Sequence, residues 1–93
     1  MIPENITKDS ISKALKKIDK EGVPAQRQST KYLLIQDNKQ YPPKYVISLA
    51  NFFENGDQLK PDLFSGGDMT NSFLQKRGFV IKEISELSGE NPE

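Results

Sequence analysis

The chain has 93 residues, thirteen acidic and thirteen basic side chains, and neither histidine nor cysteine: room for one small domain, at zero net charge. The missing residue types exclude disulfides, the usual Cys/His zinc sites, cysteine or Ser–His nucleophiles and imidazole acid–base chemistry, so packing alone must hold the fold. No apolar run approaches membrane-spanning length and no charged-then-apolar leader opens the chain, so a cytoplasmic location is expected.

The first helix is signposted by Thr7 as N-cap, with Ile6 and Ile11 placed to form a hydrophobic staple. Asp9 and Lys20 suit the helix dipole at either end, and Gly22 with Pro24 stops the helix at about Glu21. Ile11, Leu15 and Ile18, with Ala14 beside them, form the buried stripe. Lys13, Lys16, Lys17 and Lys20 cluster opposite that stripe. They read either as a solvated face or as a phosphate-docking surface, because Asp19 and Glu21 lie on their flanks rather than among them.

Residues 23–30 form a polar connector in which Arg27 either caps or pairs locally, or clamps a phosphate with its planar guanidinium. Residues 32–36 and 39–41, separated by Asp37-Asn38, predict a β-hairpin, since both turn residues tolerate positive φ. Leu33 and Ile35 are expected to face the helices, with Tyr32 and Leu34 on the other side. A second helix is expected from about Pro43 to Glu54, its proline at the first helical position, with Val46, Leu49, Ala50 and Phe53 facing inward and Ile47 and Phe52 off that stripe.

Tyr41 and Tyr45 flank Pro42, Pro43 and Lys44. They read as packing at the helix entry or, with Lys44, as a platform that stacks a base and holds its phosphate. Residues 58–65 read as a loop, followed by a short helix over about 69–77 with Asp68 as the expected N-cap. Gly66 and Gly67 bare the backbone just ahead of that helix, where unpaired N–H groups favour an anion; a capping Asp68 would compete for the same place. Residues 79–84 predict a last strand beside the hairpin. The expected layout is a tail over 1–5, one α+β domain over 6–85, and a disordered tail or linker over 86–93.

Charge is unevenly spread. Residues 8–44 hold nine Lys/Arg against four Asp/Glu, whereas residues 45–93 hold four against eight. Local patches rather than totals steer a charged partner.

The segment Arg27–Tyr32, the run Tyr41-Pro42-Pro43-Lys44, Phe64-Ser65-Gly66-Gly67, Thr70-Asn71, Leu74 and Gly78-Phe79 together form a spaced pattern. It resembles the N-terminal head domain of Mcr-type, modification-dependent HNH restriction endonucleases and related bacterial defence proteins, over roughly residues 6–84. The resemblance implies an accessory domain that works beside a DNA-recognition domain and a nuclease.

Chemistry of other kinds has little support. Pro61-Asp62 is half of a nuclease pattern, but Asp37-Asn38-Lys39 lies upstream of it in the wrong order. Ser65-Gly66-Gly67 lacks the lysine of a Walker loop, and Asp57, Asp62 and Asp68 match no calcium loop, so neither catalysis, cofactor nor metal is expected.

The expected fold is α+β in the order α-β-β-α-α-β, a three-stranded antiparallel sheet packed against three helices. The expected function is a non-catalytic module that docks on double-stranded DNA, with a modified base as a candidate target. Lys13, Lys16, Lys17 and Lys20 would supply attraction, while Arg27, Lys44, Ser65, Gly66, Gly67, Thr70, Asn71, Lys76 and Arg77 would position or read the duplex. The alternative is an interaction head that touches a nuclease domain or subunit without binding DNA; side-by-side exposure of Ile47 and Phe52 would favour it.

Overall fold

The computed structural model describes residues 1–85. The order is α1 (Lys8–Glu21), β1 (Tyr32–Gln36), β2 (Lys39–Tyr41), α2 (Pro43–Asn55), α3 (Asp68–Lys76) and β3 (Val80–Glu83), with short 3-10 turns at Ala25–Arg27 and Pro61–Leu63. The three strands form an antiparallel sheet in the order β2-β1-β3. This is the expected α-β-β-α-α-β arrangement. The expected tail at 86–93 lies outside the described residues.

Thr7 caps α1 in a reciprocal box with Ser10, whose hydroxyl takes the place of the usual acidic partner. Ile6 and Ile11 are both fully buried, as a staple requires. Helix α1 lies along α2, and α2 is covered on several sides: Val46, Ile47, Ser48, Leu49 and Ala50 are all inaccessible to solvent. The C-terminal turn of α2 emerges from the core. Phe53, expected inside, is 38% exposed and meets the 44% exposed Phe52 edge-to-face at 5.3 Å between centroids. Ile47 and Phe52 therefore do not form a joint exposed patch.

The hairpin turn places Asp37 at φ 52° and Asn38 at φ 64°, the conformation that a tight two-residue turn demands. That turn fixes the register, and the register corrects the expected facing of β1. Leu34 is paired with Tyr41 on one side and Ile81 on the other, and it is Leu34 that is fully buried. Leu33 and Ile35 point to the opposite face with Val80 and Lys82 and are only half-buried. Tyr41 must turn inward to begin α2, and its cross-strand partner follows it.

Residues 1–5, read as a tail, pack on the domain. Ile2 joins the core, the Met1 amino group donates to the Leu63 carbonyl, and Asn5 and Asn55 exchange side-chain hydrogen bonds. The expected third helix starts one residue early, at Asp68, because Gly67 takes the N-cap position with φ 66°, ψ −134°, a conformation open essentially to glycine. Asp68 does not cap it.

Tyr41 is buried at 3% exposure, and its hydroxyl donates to Asp19 Oδ1 at 2.8 Å. Desolvation, then the bond to Asp19, pushes the phenol up to about 12 from its ordinary 10.0. A raised folded-state value means that this stabilisation is complete below about pH 10 and lost as pH rises toward 12. Tyr41→Phe is expected to flatten the loss of thermal stability across that window, measured by melting against pH beside the unsubstituted chain. An equally steep alkaline loss in the variant would remove Tyr41 from the account.

Candidate functional site

The segments of the spaced pattern meet in space. A cleft of about 290 Å³ is lined by residues 26–32, by Pro43 and Lys44 at the start of α2, by Pro61, and by Gly66, Gly67, Thr70 and Asn71 at the start of α3. Both helices thus turn their N-terminal, partially positive ends toward one space. Arg27, Lys31 and Lys44 add three cations, and no carboxylate is among the lining residues. The exposed Asp68 is not among the lining residues and does not cap the helix, although its carboxylate stays in the first turn of α3.

Each wall is fixed by its own bonds. Arg27 donates to Ser48 Oγ at 2.8 Å and lies over the Tyr45 ring at 5.0 Å, which holds the 25–27 turn against α2. Burial lowers the Arg27 pKa from its ordinary value, and Tyr45 opposes that change. No carboxylate forms an ion pair with Arg27 among the described residues. Lys44 Nζ donates to the Pro61 carbonyl at 2.7 Å and lies 5.0 Å above the Phe64 ring. On the opposite wall Thr70 Oγ1 donates to the Ser65 carbonyl at 2.7 Å, folding the glycine loop over the helix start. Gly67 lacks a capping side chain, so the first N–H groups of α3 are left to solvent or a ligand.

Asn71 sits one turn into α3 in the cleft wall, 9% exposed. Its Oδ1 is buried and has no hydrogen-bond partner. Buried polar atoms nearly always have partners, and those that lack one call for a reason.

The remaining site candidates lie elsewhere. Lys13, Lys16, Lys17 and Lys20 flank a shallow apolar depression floored by Phe53. Lys13 pairs with Asp9 at 3.4 Å and Lys17 with Glu21 at 3.0 Å, so i,i+4 partners do interrupt this stripe. Lys76 lines a third hollow near the N-terminal residues. Arg77, expected to touch a duplex, is committed inward: it donates to the carbonyls of Ile6, Phe73 and Glu4 at 2.9–3.1 Å and stacks on Phe73 at 3.5 Å. The Ser65 hydroxyl faces Met69 Sδ rather than the cleft.

Tyr41 and Tyr45 need correction as stacking platforms. They are 3% and 8% exposed, Tyr41 tied to Asp19 and Tyr45 covered by Arg27, so neither offers a ring face to a base. The tyrosine in the cleft wall is Tyr32, half-buried beside Lys31. Lys31, Gln26, Gln28, Thr30 and Tyr32 were not singled out as site residues. The available signal for Gln28, Thr30, Lys31 and Tyr32 was their place within the Arg27–Tyr32 segment, and for Gln26 its place in the polar connector.

Residues 4–83 match the family model described as "ScoMcrA-like, N-terminal head domain". No curated protein and no solved structure matches the chain.

The inward commitment of Arg77 has a measurable consequence. Arg77→Ala is expected to lower folding stability by about 2–3 kcal/mol, the range for charged hydrogen bonds lost from a part-buried site. Lys76→Ala should change it by less than about 0.5 kcal/mol. Denaturant unfolding of the two variants checks this, and equal stabilities would contradict the clamp.

Proposed function

Because the chain belongs to the ScoMcrA-like N-terminal head domain family, we propose that it is a non-catalytic DNA-docking module of a restriction or defence protein, working beside a nuclease domain or subunit. The observation that carries this reading is the carboxylate-free cleft, in which two helix starts converge with Arg27, Lys31 and Lys44. Phosphate oxygens need donors and positive potential, and the cleft offers both from backbone and side chains. The α1 lysines contribute longer-range attraction, reduced by the pairing of Lys13 and Lys17. A modified base would be distinguished at the cleft wall.

The second reading, an interaction head, is favoured by one observation. The Phe52–Phe53 pair is exposed, and Phe53 adjoins the lysine stripe, which gives α1 and α2 a mixed aromatic and basic surface suited to an acidic protein partner. That surface is separate from the cleft lining.

Fluorescence anisotropy with labelled duplexes, unmodified and carrying modified cytosine, across a salt series tests the first reading. Replacing Lys31 and Lys44 together by Ala is expected to weaken binding about tenfold and to reduce the log–log salt slope by about 2, since each phosphate contact contributes about 0.9. Lys13→Ala, Lys16→Ala and Lys17→Ala combined should weaken it less. Absence of binding to any duplex at low salt would overturn DNA docking and favour the interaction head.

A further inference from the structure

The cleft is more than a phosphate seat. At about 290 Å³ it is close to the lower bound of small-molecule sites, about 300 Å³, and a bare phosphate would occupy only part of it. Its wall also makes a demand that a phosphodiester cannot meet. Asn71 Oδ1 is a buried acceptor with no partner, whereas a phosphodiester has only acceptor oxygens. A ligand that satisfies both ends of the cleft must carry an anionic phosphate and, a few ångströms away, an N–H or O–H donor.

We propose that the cleft accommodates one nucleotide unit. Its phosphate lies against the first turn of α3, Lys31 and Lys44, and a donor on its base or sugar turns toward Asn71. The neighbouring polar groups are already engaged in ways that leave this role to Asn71. The Thr70 hydroxyl is spent on the Ser65 carbonyl, and Ser48 Oγ, behind Arg27, donates to the Leu59 carbonyl. Asn71 Oδ1 has no such tie, which leaves it as the acceptor for the ligand's donor. Buried polarity kept without an internal partner costs stability, which a ligand contact offsets.

This inference rests on the reading of the cleft as the DNA-docking site, and it names what enters it. The nucleotide unit has two sources: a residue of an unpaired or opened strand, or a free mononucleotide. Duplex backbone alone presents phosphate without the donor.

The test is a ¹⁵N-resolved NMR titration of the chain with adenosine monophosphate, inorganic phosphate and adenosine, followed by a short single-stranded oligonucleotide and the corresponding duplex. Adenosine monophosphate is expected to bind at least tenfold tighter than inorganic phosphate. It should shift the Asn71 side-chain amide together with the backbone amides of Asp68, Met69 and Thr70. Asn71→Leu should bring the two affinities together while leaving inorganic phosphate binding in place. The unsubstituted series decides the matter by itself if that variant fails to fold. Tighter binding of the single strand than of the mononucleotide identifies a strand as the source; the reverse identifies a free nucleotide. Equal affinity for adenosine monophosphate and inorganic phosphate, or shifts confined to the α1 lysines, would overturn the inference. Duplex binding that persists in that case leaves DNA docking standing, whereas loss of all binding removes both.

Discussion

Helix α2 sits at the centre of this domain, and Ser48 is where two irregular segments are tied to it. The helix is buried along most of its length, a position that ordinarily demands apolar side chains throughout. Ser48 and Asn51 are the exceptions, and the Ser48 hydroxyl has a partner on either side. It accepts from Arg27 at 2.8 Å and donates to the Leu59 carbonyl at 2.6 Å, while its own carbonyl accepts from the Leu59 amide at 3.3 Å. One small polar residue thereby ties the connector before the hairpin and the loop after α2 to the same helix turn. Those two irregular segments are the walls of the cleft. The Lys44 bond to the Pro61 carbonyl and the Arg27–Tyr45 contact add to that anchor.

The same arrangement explains how a chain of zero net charge creates a strongly signed site. Folding sorts the charges. The acids at Asp9 and Glu21 pair along α1, Asp19 is held by Tyr41 and Lys39, and Glu4 faces Arg77. The charged side chains that line the cleft are all cations, and two helix starts join them. Interactions this local are governed by separation over a few ångströms, so total charge has little bearing on them.

Most of the architecture was legible in the sequence because its signals are local. Thr7 and Gly22 bound α1, Asp37-Asn38 sets the hairpin, and Pro43 opens α2; each acts through its own backbone preference. The facing of β1 was not legible. Leu33, Leu34 and Ile35 are consecutive apolar residues, and period-2 alternation cannot choose a face for such a run. The choice came from pairing with Tyr41 and Ile81, which are distant in sequence. Phe53 failed for a related reason: a helical stripe has no mark for the point at which a helix leaves its neighbours.

For the site, the segments were legible and the roles were not. Arg27, Lys44, Gly66, Gly67, Thr70 and Asn71 do gather in one place. The direction in which a long side chain points is decided by carbonyls and rings it meets only after folding. Arg77 turned inward onto the Ile6 and Glu4 carbonyls, and Tyr45 turned under Arg27.

The makeup of the cleft carries a consequence for control. Its charge comes from lysine, arginine and helix ends, and the chain has no histidine or cysteine anywhere. It holds no imidazole, the group that would ordinarily act as a switch between about pH 5 and 8. Its positive charge is instead screened by the ion atmosphere, over a length of about 8 Å at physiological ionic strength.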